Sequence, residues 1–370
     1  MKERLDRQKA FFASDEPGDL LIYYRRATYK GPCIPEILEL RFFDPLSRTP
    51  IETLCDQHEI KRLVGDFLQI FGRSLAEFYA VDHDGLPTNN VYFGIGAVTA
   101  AMTGEQVRFI SQTSWCEPAY DDWETIERLA FDPQNPWIRF SIGVCRALLE
   151  HWDEDFMILP YLYRSPLDAA SGIRGSRLFT DLYDCPEKAK RLIDWCADWS
   201  IQLERHMDEQ VPLPRGWGRG IWSTWLPAGA VFINGDPVDL ISRKLQPIFD
   251  RPYTEKLFMA TGGGFYHHHS LGLHQVAQVA ETRGMLIQEI YDDPNTPSVA
   301  GTMIEDAGVR NRVLEASLRA PIMLDDFSPD LLDRLLPILK EGRFILRPTV
   351  GSKHDAIEVV KKVRRISNIA

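Results

Sequence analysis

The chain has 370 residues, 44% of them hydrophobic and 26% charged, with a net charge of -11. This composition belongs to a folded protein with a large core; it excludes wholesale disorder, and it excludes a general binder of nucleic acid or acidic membranes, because phosphate recognition needs a basic face. The six cysteines at 33, 55, 116, 145, 185 and 196 contain no Cys-x-x-Cys pair, and no run approaches the roughly 18 apolar residues of a membrane span, so a reduced, cytoplasmic location without nucleic-acid or membrane partners is expected.

In chain order, a polar lead-in over about 1–18 precedes the first β-rich run at 19–26. Further runs follow at 107–113, 156–163, 222–227 with 231–234, 263–269, 285–290, 320–324 and 343–348. Helical patterns lie between them. One covers 57–79, and the clearest covers 186–209, where Leu192, Ile193, Cys196, Trp199 and Leu203 share one stripe and Asp184 with Pro186 marks the start. Others follow Asp236, Gly272, Pro329 and Ser352. Repeated strand–helix alternation implies a parallel sheet covered by helices, and about eight units favour a closed (β/α)8 TIM barrel over an open sheet, as a single domain spanning 1–370. No Gly-x-Gly-x-x-Gly follows the first strand, which argues against a dinucleotide-binding fold.

Four of the nine histidines fall within residues 267–274. Alternation along a strand puts His267 and His269 on one face and Tyr266 and His268 on the other, while His274 lands near the first turn of the next helix. In a barrel the catalytic groups come from the C-terminal ends of strands. That rule selects Arg25, Arg26 and Tyr29; Trp115 and Glu117; Tyr161 and Tyr163; Asn234 and Asp236; His267 and His269; then Glu289, Asp292 and Asp293. Arg25 or Arg26 facing the cleft would bind a carboxylate or phosphate bidentately, whereas the Asp236-Pro237 pair matches a helix cap. The Gly- and Trp-rich stretch at 215–225, with Trp222, suits a loop against a flat ring. Arg164 and Arg174 are expected to support their own loop.

Several blocks, in order, resemble the uroporphyrinogen decarboxylase superfamily, which contains porphyrinogen decarboxylases and methyltransferases serving cobalamin-type and thiol carriers. They are residues 121–137, 165–195, 232–249 with Asp236 ahead of its helix, and 262–274 with its histidine-bearing strand. The resemblance implies a (β/α)8 barrel with its site in the C-terminal cleft, and a dimer. Thiol-activating members bind zinc through His-x-Cys and a Cys near the last strand; here the pair is His267-x-His269 and no cysteine follows Cys196. A nitrogen and oxygen site for zinc or another divalent metal remains, from His267 and His269 with Asp292, or with Glu289 or His274 in its place, and shifts the expected substrate toward harder oxygen donors. The decarboxylases' early basic stretch corresponds to 23–31, but their downstream Asp has no counterpart around Asn89. The resemblance therefore implies a methyltransferase acting on a small anionic or oxygen-bearing substrate, with a corrinoid protein as partner. In that reading His267, His269, Glu289 and Tyr29 are catalytic, and Arg25, Arg26, Trp115, Glu117, Tyr161, Tyr163, Trp222, Asp236 and His274 contact substrate. The alternatives are a cofactor-independent decarboxylase of a ring acid and a non-catalytic ligand-binding barrel.

Overall fold

The structure, a computed structural model, describes residues 1–26, 40–41, 48–109, 114–117, 120–214, 216–293 and 296–367. Strands β1 (Leu20–Ile22), β2 (Thr88–Tyr92), β3 (Met157–Leu159), β4 (Tyr163–Arg164), β5 (Val231–Asn234), β6 (Gly264–His269), β7 (Met285–Tyr291), β8 (Ile322–Asp325) and β9 (Phe344–Arg347) are interleaved with helices. Seven form one sheet in the order β1-β9-β8-β7-β6-β5-β4, with every neighbouring pair parallel. Strand β2 sits between Leu40–Arg41 and β3 in a second, three-stranded parallel ladder.

Parallel sheets bury both faces, and the side chains here divide accordingly. Leu21, Leu159, Phe232, Phe265, Ile287, Met323 and Ile345 make one buried cluster with Phe11 and with Ile221 and Leu226 of a hairpin. Their sequence neighbours Leu20, Ile22, Ile290, Leu324, Phe344 and Leu346 pack the other way, against helical residues such as Val313, Leu335 and Val360. Two residues beyond the inner apolar layer, the same alternation brings Asn234, His267, Glu289, Asp325 and Arg347 onto the inner face at the C-terminal strand ends. This polar layer is the ground on which a site can form.

The fold departs from the sequence expectation at several places. The described part of the run at 107–113 is no member of the main sheet: Val107–Phe109 pairs antiparallel with Ser114–Cys116. The run at 222–227 belongs to another hairpin, Arg219–Ile221 against Thr224–Leu226, whose turn residues Trp222 and Ser223 both have positive φ (46° and 64°). β-Branched and aromatic residues signal pairing, without saying with what. Strand β2 escapes the apolar-run criterion because it is Thr-Asn-Asn-Val-Tyr, with its polar residues buried. The lead-in, where no element is expected from sequence, holds helix α1 (Lys2–Ala13), which buries Arg4, Leu5, Gln8 and Phe11.

Helix α2 (Gln57–Tyr79) starts at an Asp56 cap whose side chain accepts from the His58 and Glu59 amides. Helix α3 (Pro186–Gln210) matches its stripe, but its cap residue is Cys185, and Asp184 ends the preceding helix. The observed architecture is α/β with a seven-stranded parallel sheet. No helix among the described residues is long and apolar enough to cross a membrane.

Candidate functional site

His267 and His269 stand on the inner face of β6, as strand alternation requires, and their Nε2 atoms face each other at 3.3 Å. On the far side of each ring lies a carboxylate. Glu289 Oε2 is 2.6 Å from His267 Nδ1, and Asp293 Oδ1 is 3.0 Å from His269 Nδ1, an ion-pair distance without hydrogen-bond alignment. The Asp293 carboxylate is itself held, accepting from Ser270 Oγ at 3.0 Å and the Leu271 amide at 3.1 Å. The His269 amide donates to Asp239 Oδ2 at 3.1 Å, which ties the strand end to the turn after β5.

Asp236 completes a triangle. Its Oδ1 lies 3.6 Å from His269 Nε2 and 4.0 Å from His267 Nε2, too far for hydrogen bonds, and that buried oxygen has no hydrogen-bond partner among the described residues. Its Oδ2 accepts from Asn234 Nδ2 at 2.9 Å. Asp236, His267 and His269 are the group of metal-capable side chains among the described residues whose ligand atoms all lie within 4.8 Å of one another.

The electrostatics suit cation binding. Burial lowers the His267 pKa to about 4, against the pull of the Asp236 charge, so the imidazole is neutral at pH 7 and its Nε2 lone pair is free when Nδ1 carries the proton. Burial, and next the charge of Asp325, raises the Glu289 carboxyl well above the usual range. Asp325 goes the other way: burial opposes ionisation, but the Arg347 guanidinium wins, bonding it through Nε at 2.7 Å and through Nη2. Arg347 Nη2 also reaches Glu289 Oε1 at 3.5 Å. Arg25 Nη1 lies 3.7 Å from Asp325 and 3.6 Å from Asp326. The Trp222 indole meets His267 edge-on at 5.4 Å between ring centroids.

A tetrahedral ion with bonds of about 2.0–2.2 Å would separate its ligand atoms by about 3.3–3.6 Å. The two shorter edges of the triangle, 3.3 and 3.6 Å, match this spacing. A carboxylate behind an imidazole, fixing its tautomer and orientation, is the usual support of a histidine metal ligand. The donor set of two imidazoles and a carboxylate, without thiolate, suits zinc, iron(II) or another divalent first-row ion.

Among the residues expected from sequence, Arg25, Trp222, Asp236, His267, His269 and Glu289 come together. The cap reading of Asp236 is corrected: the 3-10 turn Asp236–Asp239 has Gly235 at its cap, without a side-chain cap bond, and the carboxylate turns to the histidines. Asp292 is outside the triangle; its Oδ1 accepts from the Val299 amide at 2.8 Å, and burial pushes its carboxyl up to about 7. His274 is exposed and lies near the main-chain carbonyls of Leu271 and Ile241. Trp115 is 54% exposed, and Glu117 pairs with Arg108 at 3.6 Å on the same peripheral hairpin. Tyr163 points to the helical side, where its hydroxyl donates to Glu204 of α3 at 2.7 Å, and Tyr161 packs on Phe93 and Tyr163 in the core. Tyr29 and the Arg26 side chain lie outside the described residues.

His268 faces away, as alternation requires, with Nε2 at 2.8 Å from Gln288 Nε2. Arg164 and Arg174 hold their own segment through Asp168 and Asp181. Sequence reasoning missed Asp325 and Arg347, although the period-2 rule applied to residues 320–325 and 343–347 places both on the inner face. It also missed Asn90, whose amide is fully buried with both polar atoms unpartnered among the described residues.

No protein-family model matches the chain, and no curated protein matches it in sequence. Among solved structures, a methyltransferase from Methanosarcina mazei superposes with a TM-score of 0.60 over 98% of this chain and 98% of its own, at 12% sequence identity. At that identity, what the two chains share is the fold.

Proposed function

We propose that the protein is a metal-dependent enzyme, in which His267, His269 and Asp236 hold one divalent cation, and that its reaction is methyl transfer between a small oxygen-bearing anion and a carrier. The observation that carries this reading is the triangle of Nε2, Nε2 and an unpartnered Asp236 Oδ1, with carboxylates behind both imidazoles. The fold shared with a methyltransferase over nearly the whole chain supports the reaction class. We further read the two parallel ladders as one (β/α)8 barrel, with β3 and β4 as a single interrupted strand and β2 next to it.

A divalent cation in this position acts as a Lewis acid on a substrate oxygen. The chain's own side chains do the rest. Glu289 accepts from His267 Nδ1 and so keeps the Nε2 lone pair directed at the site. Trp222 walls the site beside His267. Arg25, raised in pKa by Asp325 against the effect of burial, stays charged and is placed to hold an anionic group. A corrinoid protein is the proposed carrier.

Elemental analysis of the purified full chain tests the reading. About one divalent ion per chain is expected in the wild type, with loss of the ion in His267→Ala and in Asp236→Ala. Methyl transfer from a methoxylated acid to reduced cobalamin, followed by absorbance, is expected only for the metal-bearing protein. A wild type that binds no ion from a zinc, iron or cobalt titration would sink the assignment.

A further inference from the structure

Arg347 has more donors than acceptors around it. Its guanidinium is locked in place, with Nε and Nη2 both on Asp325 and Nη2 also 3.5 Å from Glu289. The remaining nitrogen, Nη1, is buried and has no hydrogen-bond partner among the described residues; Arg25 Nη1 likewise lacks a hydrogen bond there but faces Asp325 and Asp326 at 3.7 and 3.6 Å. The whole Arg347 side chain is 4% exposed. A guanidinium only donates and stays charged, so a buried Nη1 needs an acceptor, and an ionised oxygen is the strongest one.

The position of this edge is as informative as its unused donors. The Arg347 guanidinium carbon lies 5.3 Å from the Trp222 ring centroid, and the same indole meets His267 at 5.4 Å. Glu289 also bridges the two, touching His267 through Oε2 and Arg347 through Oε1. A molecule in contact with both the imidazole pair and the guanidinium is therefore no longer than about one ring with its substituents, and lies along an aromatic wall.

We propose that Arg347 is a carboxylate receptor, and that the substrate is a small, flat monocarboxylic acid carrying a hydroxyl or methoxyl oxygen. Arg347 Nη1 holds the carboxylate, Arg25 supports it, and the oxygen substituent faces His267 and His269. The assignment rests on the reading of the histidine pair as the reacting end. Arg347 is a binding residue here; its bonds to Asp325 and Glu289 fix the fork before ligand arrives, which lowers the ordering that binding requires.

Calorimetry on the full chain tests it, with 2-methoxybenzoate as the anionic probe and 2-methoxybenzamide as its neutral match. The wild type is expected to prefer the carboxylate at least tenfold. Arg347→Gln is expected to remove that preference and to weaken carboxylate binding about ten- to hundredfold, the range for losing a charged hydrogen bond. Because this change strands Asp325, the double variant Asp325→Asn/Arg347→Gln serves as the charge-balanced form, with circular dichroism checking its fold. Both variants keep the metal content of the wild type if the receptor and the ion site are separate. A wild type that binds neither probe, or treats them alike, overturns the proposal; so does a folded variant that keeps the preference. An Arg347-dependent preference in a protein that binds no metal upholds the receptor and removes only the metal reading.

Discussion

At the residue scale, the chemistry depends on which atom of each side chain is occupied. In the proposed metal site His267 would serve as a ligand because its Nδ1 is engaged by Glu289 at 2.6 Å and burial keeps the ring neutral. Glu289 sits between His267 and Asp325 with its carboxyl pushed well above the usual range by burial and by Asp325, so a protonated oxygen toward Asp325 and an accepting oxygen toward His267 fit together. A glutamine offers the same pair of roles. Glu289→Gln is therefore expected to keep zinc affinity within about threefold of wild type, whereas Glu289→Ala, which frees the ring, should cost about ten- to hundredfold. Competition with a chromophoric chelator measures both; equal losses in the two variants would show that the carboxylate charge, and not its hydrogen bonding, matters. The same scale exposes what residue type alone does not say: Asp236 and Asp292 each accept a hydrogen bond, but it is Asp236 whose remaining oxygen lies 3.6 and 4.0 Å from the two histidine Nε2 atoms.

At the element scale, the hairpin Arg219–Ile221 with Thr224–Leu226 carries the aromatic wall of the site. Two consecutive non-glycine residues at positive φ cost on the order of 1 kcal/mol each, a strain kept only where the surroundings impose it. The imposition is visible in Arg219, which is buried, forms an ion pair with Glu204 of α3 at 2.5 Å and donates to the Ala230 carbonyl at 3.0 Å. Gly220 lies so close to Met157 that an added Cβ would approach its Cβ to 2.4 Å. Arg219→Ala leaves Glu204 buried without its cation and is expected to destabilise by about 3–5 kcal/mol, read from urea unfolding. Tyr163→Phe, which removes a single hydrogen bond to the same carboxylate, is expected to cost about 1 kcal/mol. The element was half legible: its β-forming residues were plain, but hairpin and sheet strand use the same residues, and the partner is decided elsewhere in the chain.

At the scale of the whole molecule, helix α1 fastens pieces far apart in sequence. The Gln8 amide donates to the carbonyls of Asp84 and Ser223, both at 2.8 Å, and its oxygen accepts from the Trp225 amide at 2.6 Å. Arg4 donates to the Val81 carbonyl at 2.8 Å and the Gly85 carbonyl at 3.1 Å. The helix thus joins the segment leading into β2 to the hairpin that bears Trp222. Gln8→Leu strands the Asp84 carbonyl and the Trp225 N–H in a fully buried setting, while the Ser223 carbonyl keeps the Leu86 amide, and is expected to cost about 2–4 kcal/mol in denaturant unfolding. A change below about 0.5 kcal/mol would mean that water or repacking replaces the amide. Composition along residues 1–18 shows only a polar lead-in, because the value of Gln8 and Arg4 lies in carbonyls some 75 to 215 positions away.

The strand–helix alternation from residue 231 onward, the helices starting at 57 and 186, and the shared face of His267 and His269 were legible in sequence alone, because both periodicities are local properties of the backbone. The lack of cysteine after Cys196 likewise gave, without any coordinates, the expectation of a site at these histidines built from nitrogen and oxygen donors. Which acid faces the pair was decided by tertiary structure. The turn after β5 swings Asp236 toward β6, while Asp292 is engaged by the next helix. The same is true of Arg347 and Asp325, which meet because β8 and β9 pair with these two residues in register. Alternation sets the face of a strand; sheet register and the turns between strands set who stands opposite.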